Sequence, residues 1–340
     1  MSLNSPNKTG LLLVNLGTPA SPSVKDVRKY LKEFLSDPLV IDINPVVRWC
    51  LVNFIIAPFR SPKSAKLYQK ICTSRGSPLL FHGLDLQKEL VKSFGDSWNV
   101  ELAMRYGHPS IENGLKKMLD LEEIVVFPLF PQFSKAAYAS AVEKVKSDLI
   151  NLGYSGKVSV IKPYFNHPEF IKSFCSLVSE KAKEAEKIFF TFHGIPIRHC
   201  IESASEGSPC SKDPRCCESL RQDNQQCYRA QCFETARLMA KELDIKNYEV
   251  VFQSRFGRDP WITPYADYRL DEITEAGVQS VTYISPSFTA DCLETIEEVG
   301  EGFQHAFIEK GGKSFELVSS LNASQRWVEA IQKIIDQRDV

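Results

Sequence analysis

Ile188-Phe189-Phe190-Thr191-Phe192-His193-Gly194-Ile195-Pro196 is the stretch on which the fold turns. Its first five residues are apolar or β-branched with no polar alternation, which describes a strand covered on both faces. Gly194 and Pro196 then end the strand and turn the chain, leaving His193 at the strand exit. The same arrangement recurs at Leu11 to Asn15, Val100 to Met104, Ile124 to Phe127, Val158 to Ile161, Val250 to Gln253 and Val281 to Ile284. Between these runs lie stretches with helical spacing, among them Val24 to Leu35, Ser140 to Leu149, Ala230 to Leu243 and Leu293 to Phe307. Strands that alternate with helices in this way predict an α/β protein with parallel sheets.

A chain of 340 residues exceeds one ordinary hydrophobic core and accommodates two domains. The strand series restarts where Ser155-Gly156-Lys157 follows Tyr154. This predicts a first domain over 10–155, a second over 156–322, and a last helix within 323–338 that packs back on them. Apolar residues make up 43% and charged residues 24%, which excludes a disordered or fibrous chain. A net charge of -1 without a basic stripe argues against nucleic acid as the partner. Met1 to Thr9 is short and polar, without the apolar middle of an export signal, so the expected location is cytoplasmic. The most apolar segment, Val46 to Phe59, is broken by Arg48, Asn53 and Pro58 and cannot span a bilayer. Core or pocket is the favoured place for it, with peripheral membrane contact left open. Oligomeric state is not legible.

Open α/β sheets gather functional groups where strands deliver their carboxyl ends to loops. Gly17 alone does not form the three-glycine dinucleotide turn, and no phosphate-cradling lysine motif follows it, which disfavours nicotinamide or flavin chemistry. After Tyr283-Ile284-Ser285-Pro286-Ser287-Phe288, an α-helix over Asp291 to Phe307 would carry Leu293, Ile296, Val299, Phe303 and Phe307 on one face. Asp291, Glu294, Glu298 and Glu301 would line the other. A charge run of this kind is usually a solvated face. Here it starts at a strand exit, where a helix start holds Asp291 and Glu294 in fixed geometry. Four stacked carboxylates also need bulk water or something positive beside them. A carboxylate with a neutral imidazole suits ferrous iron, whose modest affinity in N/O sites permits release.

Six ordered stretches resemble the ferrochelatases, and the similarity runs from Gly10 to residue 335. They are Leu11-Leu12-Leu13-Val14-Asn15-Leu16-Gly17-Thr18-Pro19, Met104-Arg105-Tyr106-Gly107, Pro128-Leu129-Phe130-Pro131-Gln132, Phe192-His193-Gly194-Ile195-Pro196, Phe252-Gln253-Ser254-Arg255-Phe256-Gly257 with Pro260-Trp261, and Ser285-Pro286-Ser287-Phe288-Thr289-Ala290-Asp291-Cys292-Leu293-Glu294-Thr295. The resemblance implies two Rossmann-like domains with parallel sheets around a central porphyrin cleft. It implies a lyase that inserts Fe2+, as substrate, into protoporphyrin IX to give protohaem. Coproporphyrin, or a cobalt or nickel tetrapyrrole chelatase, is the alternative. His193 and Glu294 would face each other across the macrocycle, with Asp291 and Glu298 extending the carboxylate path for iron or protons. Arg60, Lys63 and Arg105 would meet the porphyrin as cations, and Leu16, Tyr68, Trp261 and Phe288 would line its cleft. Cys292 stands where some relatives carry a histidine, which puts a second imidazole there out of reach. A solute-binding protein would also have two α/β lobes, but it would leave the ordered motifs unexplained.

The segment Glu206 to Gln226 is polar, cysteine-rich and read as an inserted loop. Its spacing, Cys210-x5-Cys216-Cys217-x9-Cys227-x4-Cys232 with Cys200 upstream, lacks the paired knuckles of zinc ribbons. Clustered thiols in an iron enzyme favour a [2Fe-2S] cluster over structural zinc or unligated thiols, and some microbial ferrochelatases are similar in holding one. Cys210, Cys217 and Cys227 are the first choices, with Cys216 and Cys232 competing for the fourth place.

Overall fold

The computed structural model describes residues 9–204, 210, 215–257 and 259–338. The chain forms two compact units, the first running to Phe130 with Lys135–Lys162 and the segment from Asn322, the second comprising Pro131–Ser134 and Pro163–Leu321. Each is built on a four-stranded parallel sheet. The strands are β1 (Thr9–Thr18), β2 (Trp98–Gly107), β3 (Glu123–Pro128), β4 (Lys157–Val160), β5 (Lys187–His193), β6 (Tyr248–Gln253), β7 (Ser280–Ile284) and β8 (Ser314–Leu317). The sheets run β2-β1-β3-β4 and β6-β5-β7-β8. The predicted strand at 158–161 forms at Lys157–Val160 but pairs with β3. The first unit therefore continues beyond residue 155, because sheet pairing and not the Gly156 turn sets its limit.

In the first unit β1 is the central strand, and Leu11, Leu12, Leu13 and Val14 are wholly buried, as the unalternated run requires. The helix Ser140–Asn151 covers one face through Ala141, Val145 and Leu149. The C-terminal helix Gln325–Asp336 belongs to this unit and sets Trp327 edge-on to Phe127 with ring centroids 6.2 Å apart. Of the segment Val46 to Phe59, expected in a core or pocket, Val52 and Ala57 are buried and most of the larger side chains are not. The segment folds as the helix Pro45–Cys50, a π-helix Leu51–Ile56 and the start of the helix Ala57–Ile71. Val46, Val47, Trp49, Phe54, Ile55 and Phe59 are all exposed, Phe59 by 74%.

In the second unit Phe189 of β5 and Tyr283 of β7 pack at 4.9 Å between ring centroids. Val251, Ala266, Leu270, Val299 and Phe307 complete that core, each large apolar side chain contributing about 1.5–3 kcal/mol by its burial. The predicted α-helix Leu293 to Phe307 is a ten-residue π-helix, Glu294–Phe303, followed by the α-helix Gln304–Glu309. Its wider i→i+5 winding changes the faces. Thr295, Val299 and Phe307 are buried, while Leu293 and Ile296 are only half-buried.

In each sheet the chain leaves the central strand to one side and returns on the other. The strand order therefore reverses between β1 and β3, and between β5 and β7. Such reversals open a crevice at the carboxyl ends of the strands, where α/β proteins place their ligands. In the second unit the residues at that point are His193 and the π-helix that follows β7.

Candidate active site at the second sheet

His193 ends β5. Its Nδ1 lies 2.6 Å from the carbonyl oxygen of Gly194. A carbonyl only accepts, so Nδ1 carries the proton, and in the neutral form of such a ring the lone pair lies at Nε2. Gly194 permits tight packing around this ring. A Cβ there would meet the Gln253 carbonyl at 2.9 Å and Trp261 Cε3 at 3.2 Å. Trp261 is held by its indole N–H on the Phe256 carbonyl at 2.7 Å and bridges to Pro196. Phe288 stands on another side, its ring centroid 6.4 Å from that of His193. Two of the aromatic residues expected around a porphyrin are thus gathered at the histidine. Leu16, half-buried on β1, Tyr68, buried on the helix Ala57–Ile71, and the exposed Arg60 and Lys63 of that helix belong to the first unit.

The carboxylates separate by environment. Glu298 is gripped from three directions: the Ser254 N–H donates to Oε1 at 2.8 Å, the Gln253 amide to Oε2 at 3.1 Å, and the Ser254 hydroxyl also to Oε2. Burial pushes its carboxyl above the ordinary glutamate value. The Ser254 hydrogen bond and His193 oppose that rise, while Glu294 adds to it. Glu294 starts the π-helix, and its backbone carbonyl accepts from the same Gln253 amide at 3.0 Å. Gln253 is itself fixed by Thr191, whose hydroxyl donates to Oε1 at 2.7 Å. Ser254 holds φ at 64°, a left-handed conformation uncommon outside glycine, and it is this turn that aims its N–H at Glu298. Gln253 and Ser254 were legible in the sequence only as part of a motif, with no signal for their task.

Asp291 is committed elsewhere. Its Oδ1 accepts from the Ser320 N–H and from the Thr295 hydroxyl, both at 3.1 Å, so it anchors the start of the π-helix. Glu301 is exposed. Cys292 is buried, and burial followed by the charge of Glu294 pushes its thiol well above the ordinary value. Among the described residues no three histidine, cysteine or acidic side chains are arranged as a metal ligand set. Of the four carboxylates in the expected stripe, Glu298 is gripped by Gln253 and Ser254, Glu294 starts the π-helix, Asp291 anchors that start and Glu301 lies in solvent.

Arg105 is not a free cation. It forms an ion pair at 2.5 Å with the buried Asp37, and donates to Ser140 Oγ at 2.7 Å. Its guanidinium also lies over the Tyr106 ring. Tyr106 and Ser140 donate to the same Asp37 oxygen at 2.8 and 2.6 Å.

The cysteine-rich segment contributes thiols to the second unit. Cys200, Cys216, Cys217, Cys227 and Cys232 are buried, and Cys210 is half-buried. Residues 205–209 and 211–214 of this segment lie outside the described residues. Cys216 and Cys217 approach at 3.5 Å between sulfurs. A hydrogen bond to Cys227, then burial, pushes the Cys217 thiol up, and contact with Cys200 heads the causes that push Cys227 up to about 12. The donor chemistry fits a thiolate-ligated group, since four or more sulfurs lie within one buried neighbourhood. Among the described residues the sulfurs form a chain of neighbouring thiols, and no three of them are arranged to hold a metal ion.

The chain matches the ferrochelatase family model over residues 8–339. It is 44% identical over 340 residues to a ferrochelatase of Coxiella burnetii, covering 98% of this chain and 95% of that protein. It is 40% identical over 333 residues to a ferrochelatase of Legionella pneumophila, covering 97% and 99%. Among solved structures, SirB from Bacillus subtilis with Fe3+ shares the fold at a TM-score of 0.51 and 12% identity, covering 97% of this chain and 95% of that one. The ordered motifs, the two matched sheets and relatives aligned along nearly the whole length agree: this chain is a member of the ferrochelatase family.

Proposed function

We propose that this chain inserts Fe2+ into protoporphyrin IX to form protohaem, and that His193 with Glu294 and Glu298 carries out the insertion. The observation that carries the reading is the state of His193: with Nδ1 held by a carbonyl, Nε2 is a ready base or ligand. Metallation must remove two pyrrole N–H protons while iron sheds water, so the site needs a base, a ligand and a proton store. Nε2 accepts a pyrrole proton or briefly binds Fe2+. Glu298, whose carboxyl holds a proton more readily than an ordinary glutamate, takes the proton onward. Glu294 supplies negative charge for the incoming cation. Trp261 and Phe288 provide apolar surface for the macrocycle beside the imidazole. Anaerobic incubation with Fe2+ and protoporphyrin IX, followed by loss of porphyrin fluorescence, tests the reading. Turnover in wild type and none in His193→Ala is expected. Turnover with coproporphyrin and not protoporphyrin would move the substrate, and full activity in His193→Ala would overturn the role of the histidine.

Two finer readings accompany this one. The exposed apolar run from Val46 to Phe59, followed by Arg60 and Lys63, suits peripheral contact with an anionic membrane surface. Co-sedimentation with anionic vesicles that is lost in Phe54→Ser/Phe59→Ser supports it, and equal binding by that variant removes it. No helix among the described residues is long and apolar enough to cross a membrane. The clustered thiols suit a [2Fe-2S] cluster on Cys210, Cys217 and Cys227 with Cys216 or Cys232 in the fourth place. When bound, such a cluster would supply a one-electron couple. Anaerobically purified protein that is colourless and lacks stoichiometric sulfide rules it out.

A further inference from the structure

His193 sits where its strand outruns a neighbour. On one side β6 continues: His193 lies opposite Gln253, and the Gly194 N–H donates to the Gln253 carbonyl at 2.8 Å. On the other side the last paired residue of β7, Ile284, lies opposite Phe190. Successive residues of a strand direct their backbone polar groups to alternate sides, so the N–H and C=O of His193 point to the side that β7 has left. Backbone groups withdrawn from water need partners, and here two side chains supply them. The Tyr228 hydroxyl donates to the His193 carbonyl at 2.9 Å. The His193 N–H donates to Ser287 Oγ at 3.4 Å.

The two hydrogen bonds clamp the backbone of His193 from the side that β7 has left, its N–H on Ser287 and its C=O on Tyr228. Tyr228 is buried, 6% exposed, and opens the helix Tyr228–Glu242 immediately after Cys227. The clamp therefore joins the exit of β5, the loop after β7 and the helix that closes the cysteine-rich segment. The imidazole is already pinned to the next carbonyl, so the backbone at His193 decides where Nε2 points.

We infer that Tyr228 and Ser287 are positioning residues that hold His193 in its productive orientation, an inference that rests on the reading of His193 as the insertion base or ligand. Tyr228→Phe in the full-length protein keeps the ring and removes the hydroxyl. Its kcat with Fe2+ and protoporphyrin IX falls roughly ten- to a hundredfold, the range that small misplacements of a reacting group cost. KM for porphyrin and the melting temperature stay near wild type. Ser287→Ala loses kcat in the same direction, and Ser287→Thr, which restores the hydroxyl, recovers it. The His193 ring 15N signals, identified by their absence in His193→Ala, shift in Tyr228→Phe. Turnover within about twofold of wild type in both Tyr228→Phe and Ser287→Ala overturns the inference, as does a kcat loss matched by a fall in melting temperature that Ser287→Thr fails to restore. If His193→Ala itself keeps its turnover, the reading of the histidine has failed separately. The clamp is then judged by the 15N signals alone, where a shift supports it and constancy overturns it.

Discussion

The two units repeat one plan and use it differently. Both sheets have the same strand order, and in both the third strand is followed by a π-helix and then an α-helix: Lys135–Ala139 before Ser140–Asn151, and Glu294–Phe303 before Gln304–Glu309. At the central strand of the first unit, the exit is closed by backbone. Gly17 has φ at 116°, and a Cβ there would fall 1.8 Å from the Tyr106 carbonyl oxygen. The ionisable groups beside it satisfy one another, Asp37 accepting from Arg105, Tyr106 and Ser140. At the central strand of the second unit, the exit carries an imidazole with an open lone pair beside a glutamate whose carboxyl is raised. Topology places a crevice in both; the ionisable groups at the first satisfy one another, whereas acid–base chemistry is proposed for those at the second.

The comparison breaks if variants in the two units act alike. The largest expected effect is His193→Ala, which should lower kcat by about 10³–10⁴, the upper range for a general base, with urea unfolding unchanged. Next is its opposite in the first unit. Asp37→Asn should cost about 3 kcal/mol of stability, the scale for breaking a buried ion pair, read from urea melts, while the folded fraction keeps most of its activity. This loss should depend on pH. Burial raises the Asp37 carboxyl, but the hydrogen bonds from Ser140, the Leu39 N–H and Tyr106, with the charge of Arg105, outweigh it and hold the pKa below the ordinary value. Stability from a depressed carboxylate is whole above the unfolded pKa and lost as pH falls through the folded one. The gap between wild type and Asp37→Asn should therefore be full at pH 7 and narrow below about pH 4. A gap of constant size would show that packing, not charge, makes the contribution.

Smaller effects sharpen the contrast between the π-helices. Glu298→Gln preserves shape and removes the proton-holding carboxyl, and should lower kcat about a hundredfold, measured by the same fluorescence assay. Tyr138 in the first π-helix donates to the Ile161 carbonyl at 2.8 Å. Tyr138→Phe should cost about 1 kcal/mol of stability, a single hydrogen bond, and leave kcat unaltered. A large rate effect from Tyr138→Phe would mean that the first π-helix also serves the chemistry.

Much of the fold was legible because its signals are local. Apolar runs ended by Gly or Pro found seven of the eight strands described, missing the short, half-buried β8 (Ser314–Leu317), and the His193 exit followed from Gly194 and Pro196 alone. The acidic stripe was legible as residues but not as a site. An α-helical period places Glu294 and Glu298 together with Asp291 and Glu301, whereas the π-helix turns Glu298 into the grip of Ser254, 44 residues away in sequence, and leaves Glu301 in solvent. The apolar run at Val46 to Phe59 misled in the other direction, since hydrophobicity does not reveal whether a surface finds a partner. Arg105 read as a cation for a ligand, because its partner Asp37 lies 68 residues earlier.

By itself the sequence determined the alternation of strand and helix, the exits where chemistry gathers, the histidine and the family, since each depends on neighbouring residues or on ordered motifs. Only the tertiary structure decided which sheet the strand at 157–160 joins, how residues 294–303 wind, which carboxyl burial pushes upward, and that Tyr228 bonds the backbone of His193 from 35 residues away. Those depend on which buried polar groups meet across the fold, and desolvation gives such meetings their consequence.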